Sequence, residues 1–143
     1  MILNFIKYLL VSRSKRFELG SGHVTRYTII EIRWLFSIYI HEISTNCQDR
    51  FHTHAFNAIG WTFKGGYLEE QKSGIGKGHP IKVVKIRGVR FIPKLLNHRL
   101  LKALPNTHTL LITGRYHHLW TEEGEDWVKL ITSHQVELVK FKI

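Results

Sequence analysis

Residues 50–70 read RFHTHAFNAIGWTFKGGYLEE, and this stretch decides how the rest of the chain is interpreted. Alternate residues of a β-strand point to the same face. If the stretch is a strand, His52 and His54 point the same way and their imidazoles can converge on one metal ion. The alternative is that these are two surface histidines without a function, because in a chain with ten histidines this spacing can arise by chance. We predict a strand over 51–64 that ends at the turn signal Gly65-Gly66.

The chain on both sides of this stretch also has the composition of strands. Residues 24–43 are dense in β-branched and aromatic side chains and predict two strands, about 24–32 and 36–43. Residues 94–104 have a helix-like composition between two prolines, and they stay open between a helix and a loop that enters a strand. Further strands are predicted over 81–87, 107–114, 116–120, 127–131 and 136–141. About eight strands with little helix indicate an all-β sandwich or barrel.

Two glycine-rich or acidic stretches are predicted to connect these strands. Residues 69–80 contain three glycines and predict an exposed hairpin loop, and residues 121–126 predict an acidic turn. The sequence Gly74-Ile75-Gly76-Lys77-Gly78 lacks the spacing of a phosphate-binding loop, so we interpret it as a turn.

The first residues are apolar, and we expect neither a membrane span nor a signal peptide there. Residues 1–11 are too short to cross a bilayer and are not followed by a small-residue cleavage site. They predict a short amphipathic helix with Leu3, Ile6 and Leu10 on one face and Leu9 as a further candidate for it. That face would dock on the domain or on a second subunit of a homodimer, and contact with a membrane is the less favoured alternative. We expect a helical and extended segment over 1–22 and one β-barrel domain over 23–143.

The charge and cysteine content limit the partners and the compartment. The formal net charge is +10, which favours anionic partners: nucleic acid, nucleotides or small anionic molecules. Cys47 is the only cysteine, so the chain has neither an internal disulfide nor a Cys-based zinc site. This composition suits the reducing cytoplasm, where we expect the protein.

Four motifs follow one another along the central part of the chain. They are His52-x-His54, Gly65-Gly66-Tyr67, His98-Arg99 and Thr113-Gly114-Arg115, before a tryptophan-rich end. Their order resembles small cupin-like proteins of bacteria and phages, over about residues 24–130. The resemblance implies a single double-stranded β-helix barrel of the jelly-roll type, with the short N-terminal helix added to it.

The resemblance also implies a metal site. The implied ligands are His52, His54 and His98, around one divalent ion. Fe, Zn, Ni and Mn all accept imidazole, so the ligands do not distinguish between them. Ala58 and Ile59 stand where cupins often carry a carboxylate ligand, which departs from the pattern. Such a site leaves open positions for water, dioxygen or a substrate.

Further residues are candidates for the surroundings of this ion. Glu69, Glu70 and Tyr67 are candidate catalytic groups, with solvated charges as the alternative for the two carboxylates. The candidate ligand-binding residues are His41, Asn57, Arg99, Arg115 and His118. The two arginines are included because a guanidinium binds a carboxylate or phosphate in a bidentate manner.

Three functions are compatible with these features. The first is a metal-binding cupin that takes a small anionic ligand, with oxygenase or isomerase chemistry left open. The second is a basic β-barrel that binds nucleic acid or a nucleotide without catalysis. The third is a cupin whose site is degenerate and which acts as a structural or sensing module.

Overall fold

The computed structural model describes residues 1–117, 119–132 and 136–140. Within these residues the chain forms one α-helix, one 3-10 turn (Val11–Arg13) and ten strands. The helix is α1 (Ile2–Leu10). The strands are β1 (Ser14–Leu19), β2 (Gly22–Ile32), β3 (Phe36–Ile43), β4 (Ala58–Lys72), β5 (Ile81–Ile92), β6 (Asn97–Ala103), β7 (Thr107–Thr113), β8 (Trp120–Glu123), β9 (Trp127–Ile131) and β10 (Val136–Lys140). The predicted all-β class and the short N-terminal helix are confirmed, and the described residues contain more strands than the eight expected.

Two antiparallel layers share the long strand β4. Its first half pairs with β7, beginning at Ala58 opposite Thr113, in a layer ordered β1-β2-β3-β7-β4-β5. Its second half pairs with β6, beginning at Tyr67 opposite Ala103. The strand β5 accompanies β4 through both halves. The strands β8, β9 and β10 form a separate three-stranded ladder.

A short extended segment, residues 51–53, connects β6 to β8. His52 and His98 exchange both backbone hydrogen bonds, at 2.9 and 3.1 Å. On the other side, the amide of Thr53 donates to the carbonyl of Thr121 at 2.9 Å, and the amide of Glu123 donates to the carbonyl of Phe51 at 2.8 Å. The segment therefore continues the second layer from β4 and β6 into β8, β9 and β10.

The prediction of one strand over 51–64 is wrong at both ends. Residues 51–57 form only isolated bridges, and β4 begins at Ala58 and continues to Lys72. The predicted turn at Gly65-Gly66 is a bend inside β4, where the register with β5 shifts between Thr62 and Tyr67. The loop that follows is accordingly shorter than predicted and begins after Lys72.

Gly65 permits this bend for two physical reasons. Its φ angle is +73°, a conformation that L side chains rarely adopt. A Cβ at this position would also lie 2.8 Å from the Cα atom of Thr107. Thr107 stabilises the bend, because its hydroxyl donates a hydrogen bond to the carbonyl of Gly66 at 3.0 Å.

Other element predictions are corrected in detail. Residues 94–104 contain β6 and no helix, and the predicted strand over 81–87 extends to Ile92. The first half of the predicted acidic turn over 121–126 belongs to β8, since residues 51–53 supply a hydrogen-bonding partner that local sequence does not reveal. Tyr116 and His117 lie outside strands. The last residue of the prediction over 136–141 lies outside the described residues.

The N-terminal helix lies against the outer face of the first layer. Leu3, Ile6 and Leu10 are half-buried, as the amphipathic pattern predicts, whereas Leu9 is exposed and does not belong to this face. Lys7 forms an ion pair with Glu42 of β3. The extended part of the expected segment 1–22 is β1, which pairs with β2, and the domain division at residue 22 stays a prediction. No helix among the described residues has the length and apolar character needed to cross a membrane.

The two reasons for glycine at position 65 can be separated by a matched substitution. Gly88 of β5 also has a positive φ, +69°, but a Cβ there would meet nothing within 4 Å. We expect Gly88→Ala to lower the free energy of unfolding by about 1 kcal/mol through φ strain alone. Gly65→Ala should cost about 3 kcal/mol, because the clash with Thr107 is added. Urea denaturation of both variants measures this, and equal losses would contradict the account of the bend.

Candidate metal centre

Three histidines from two separate parts of the chain meet inside the barrel. His52 and His54 lie on the extended segment before β4, and His98 lies on β6. Their ring centroids are 4.9 Å apart for His52 and His54, 4.8 Å for His52 and His98, and 5.0 Å for His54 and His98. One nitrogen from each ring lies within 4.8 Å of the others. The backbone pairing of His52 with His98 is what places the two parts side by side.

The spacing of these nitrogens is close to that of a ligand set. The Nε2 atoms of His54 and His98 are 2.8 Å apart. Two nitrogens that each bind one ion at about 2.1 Å lie about 3.0–3.4 Å apart in octahedral or tetrahedral geometry. Small shifts of the rings would therefore complete a three-nitrogen site. Its donors are neutral imidazoles, which suit Zn, Fe, Ni or Mn.

A carboxylate orients His52. The Nδ1 atom of His52 lies 3.0 Å from an oxygen of Asp49 and 2.8 Å from the backbone carbonyl of Arg50. Both partners accept the Nδ1 proton, so in the neutral ring Nε2 of His52 carries no proton and can bind a metal ion. The same arrangement of carboxylate, histidine and metal recurs in known metal sites.

A second carboxylate stands behind His98. Glu69 of β4 is almost fully buried, and its Oε2 atom lies 2.8 Å from Nδ1 of His98, at an angle that falls short of a full hydrogen bond. Arg90 of β5 binds the same carboxylate in a bidentate manner, at 2.7 and 2.6 Å, and reaches the hydroxyl of Tyr67 at 3.2 Å. Glu69 is thus held between a guanidinium and a histidine.

The electrostatics of the cluster favour neutral rings at two positions. Burial lowers the pKa of His54 well below its usual value, and the neighbouring rings of His52 and His98 add to the shift. Burial is also the largest influence on His98 and lowers its pKa, although Glu69 partly opposes the shift. His52 is the exception: burial opposes its charged form, but Asp49 and the carbonyl of Arg50 outweigh burial and raise its pKa.

The two carboxylates stay ionised in this setting. Burial favours the neutral acid of Glu69, yet His98 and Arg90 outweigh it and lower the pKa to about 2. Burial is likewise opposed at Asp49, where His52 and the amide of Arg50 lower the pKa. A charged carboxylate behind a histidine strengthens the metal-binding capacity of the ring.

A cavity of about 150 Å³ opens beside the cluster. It is lined by the three histidines, by polar groups on both layers and by aliphatic side chains. The polar groups are His41, Asp49, Thr62, Tyr67, Glu69, Arg90 and Thr109. A ligand of such a metal ion would therefore contact both polar and aliphatic side chains of the barrel.

The predicted site residues divide into two groups. Those at the cavity are His41, His52, His54, Tyr67, Glu69 and His98. The other described candidates do not line it: Asn57 is exposed and accepts a hydrogen bond from the amide of Lys94, and Arg115 is exposed. Glu70 and Arg99 pair with each other on the outer face, because β4 and β6 alternate. His118 lies outside the described residues.

Two residues of the site were missed by the sequence analysis. Asp49 precedes His52 by three residues, and that proximity is a signal from which a partner could have been proposed. Arg90 has no such signal, because it is paired with Gly60 in the first half of β4 and reaches Glu69 only across the bend to the second half. Ala58 and Ile59 supply no ligand, as their types require: Ala58 is buried and Ile59 is half exposed on the outer face.

Solved structures with the same architecture are oxalate decarboxylases. The enzyme from Bacillus subtilis matches with a TM-score of 0.53 at 11% identity, over 73% of this chain and 28% of that chain. The fold is that of a cupin. The Lactobacillus farciminis enzyme in complex with formate matches with a TM-score of 0.55 at 14% identity, over 78% of this chain and 34% of that chain. A further Bacillus subtilis structure, from work on its Mn(II) centres, has a TM-score of 0.52 at 11% identity and the same coverage as the first.

These similarities carry the fold of the cupin barrel and not an activity. This chain spans about a third or less of the length of the decarboxylases it matches. No family model matches the sequence. No curated protein matches it either.

His41 provides a test of the polar interior that needs no metal. Burial lowers its pKa to about 4, and the charge of Arg26 adds to the shift. Below about pH 6.5 the unfolded chain takes up a proton that folded His41 does not accept until about pH 4. The free energy of unfolding therefore falls as the pH is lowered through this window. Between about pH 6.5 and pH 4, the free energy of unfolding of metal-free His41→Gln should fall by about 2 kcal/mol less than that of the metal-free wild-type protein. Urea denaturation at each pH measures the two curves. Parallel curves for the two proteins would contradict the neutral, buried state of His41.

Proposed function

We propose that the protein binds one divalent metal ion through His52, His54 and His98 and presents it to a small anionic ligand in the cavity. The observation that supports this most directly is the convergence of three rings, two of which have a carboxylate at Nδ1. A buried histidine needs a hydrogen-bond partner in any case, so the carboxylates support the proposal only together with the convergence of the three rings. The metal would act as a Lewis acid on a bound ligand or water.

The residues around the cluster support an open coordination sphere. Glu69 is committed to Arg90 and His98, so it orients a ligand and does not replace one. Its low pKa makes it a weak base. Burial raises the pKa of Tyr67 to about 12, so its hydroxyl is a neutral donor at physiological pH. Among the predicted catalytic candidates, Tyr67 is the one whose chemistry suits hydrogen bonding to a bound anion.

The structural neighbours supply candidates for the ion. One of the matched decarboxylases has Mn(II) centres, and manganese therefore belongs with Zn, Fe and Ni among the metals to be tried. Oxygenase, isomerase or decarboxylase chemistry would each use an open metal position. We propose the metal and the anionic ligand and leave the reaction type open.

Two other expectations from the sequence stay predictions. The homodimer is supported by exposed apolar side chains on the outer face of β4 and β5: Ile59, Trp61, Val89 and Phe91. Binding to nucleic acid rests on the net charge alone, and it predicts an affinity that falls steeply with salt.

Removal of a single proposed ligand should strongly weaken metal binding. We expect untagged protein to bind one divalent ion per chain, and His52→Ala or His98→Ala to weaken binding by at least about 100-fold, because two imidazoles hold an ion poorly. His79→Ala is the matched control, since His79 is exposed in the loop after β4. Metal analysis after dialysis and competition with a chelator measure the affinities. Equal metal content in all variants would sink the proposal.

Adjacent glutamates of β4 test the role of the buried carboxylate. Glu69 faces His98 and the cavity, whereas Glu70 pairs with Arg99 on the outer face. Glu69→Gln should weaken metal binding by about 10–100-fold, because the charge behind His98 is lost. Glu70→Gln should leave it unchanged. Thermal unfolding of both variants checks that the barrel is intact, and similar metal affinities would argue against an orienting role for Glu69.

A further inference from the structure

The wall of the cavity beside the histidines changes from polar to apolar along β6. His98 and Leu100 both line it, two residues apart on one face of the strand. A strand advances about 3.3 Å per residue, so Leu100 lies about 6–7 Å beyond His98. Along β6 the cavity wall thus changes from an imidazole to an aliphatic side chain over this distance.

The cavity wall around Leu100 is apolar, and several strands contribute to it. Leu19 of β1, Val24 of β2 and Ile43 of β3 also line the cavity, and Val24 lies directly opposite Ile43 in the sheet. These residues and Leu100 pack on the hydrophobic cluster that contains Cys47 and Ala103. Leu19, Val24 and Leu100 are only half-buried. A hydrocarbon group that covers them would gain free energy from the removal of water.

The charges around the cavity limit the charge of the ligand. Its lining contains two carboxylates, Asp49 and Glu69, and one guanidinium, Arg90, which leaves one net negative charge. The charge of Arg26, which lies beside His41, is offset by Glu31. A divalent ion on three neutral imidazoles changes this to one net positive charge. A monoanion then brings the enclosed charge to zero. A dianion would leave an uncompensated negative charge in a buried space, which is costly.

From these two features we propose that the ligand is a small monoanion with a short hydrocarbon portion, such as an aliphatic monocarboxylate. The inference rests on the metal site proposed above. The anionic group binds the open side of the ion at His52, His54 and His98, and the hydrocarbon contacts Val24 and Leu100. A cavity of about 150 Å³ has room for about one benzene-sized group, which sets the length of the chain.

A series of carboxylates tests the two features together. The zinc-loaded protein is titrated calorimetrically with acetate, propanoate, butanoate and pentanoate, and with succinate. Affinity should rise about two- to fourfold with each added methylene. Butanoate should bind at least about tenfold more tightly than succinate, which has the same number of carbons and a second charge. A flat series, or succinate equal to butanoate, would overturn the inference.

A matched pair of valine variants locates the effect. Val24→Thr replaces a methyl group of the cavity wall by a hydroxyl, and Val89→Thr makes the same change on the exposed face of β5. Val24→Thr should reduce the preference for pentanoate over acetate by about threefold or more, and Val89→Thr should leave it unchanged. Identical preferences in the two variants would overturn the assigned wall.

The titrations also separate this inference from the metal site. Zinc uptake is measured before any carboxylate is added, and it should be the same in both valine variants. Protein that takes up no zinc overturns the proposed function and this inference together. Protein that takes up zinc and shows no dependence on chain length overturns the ligand class and leaves the metal site standing.

Discussion

The backbone pairing of His52 with His98 is the interaction on which the rest of the structure depends. The amide of each residue donates a hydrogen bond to the carbonyl of the other, and the segment around His52 also pairs with β8. The same hydrogen bonds thus extend the second layer of the barrel and bring the rings of His52, His54 and His98 together. Fold and site are consequences of one strand pairing, so a change that opens this pairing would disturb both.

Buried charge is the second constraint. Glu69 lies in the barrel interior, where an unpaired carboxylate would be costly. Arg90 and His98 compensate it, and in return the carboxylate holds His98 in one orientation. The hydrogen bonds and the ion pair thereby offset the cost of burying the charge, and the same contacts orient the ring of His98.

The sequence predicts the class of the fold and the clustering of the three histidines better than it predicts the groups that contact them. The spacing of His52 and His54 suffices to place their side chains together, and the resemblance to cupins adds His98. Arg90 could not be found, because it pairs with Gly60 and meets Glu69 only where β4 bends. Local signals also mislead at Gly65-Gly66: a glycine pair that bends a strand has the same composition as one that ends it. The strand prediction over 51–57 fails for a related reason, since these residues are extended but find partners only in distant β6 and β8.

X-ray absorption spectroscopy of the metal-loaded protein tests the central claim most directly. The account predicts a zinc or manganese edge with scattering from three imidazole rings, with nitrogens at about 2.0–2.1 Å for zinc. The remaining scatterers should be oxygens of water or ligand, and one imidazole should be lost in His98→Ala. A first shell made of oxygens alone, or a spectrum unchanged in His98→Ala, would contradict the assignment of His52, His54 and His98 as a metal centre.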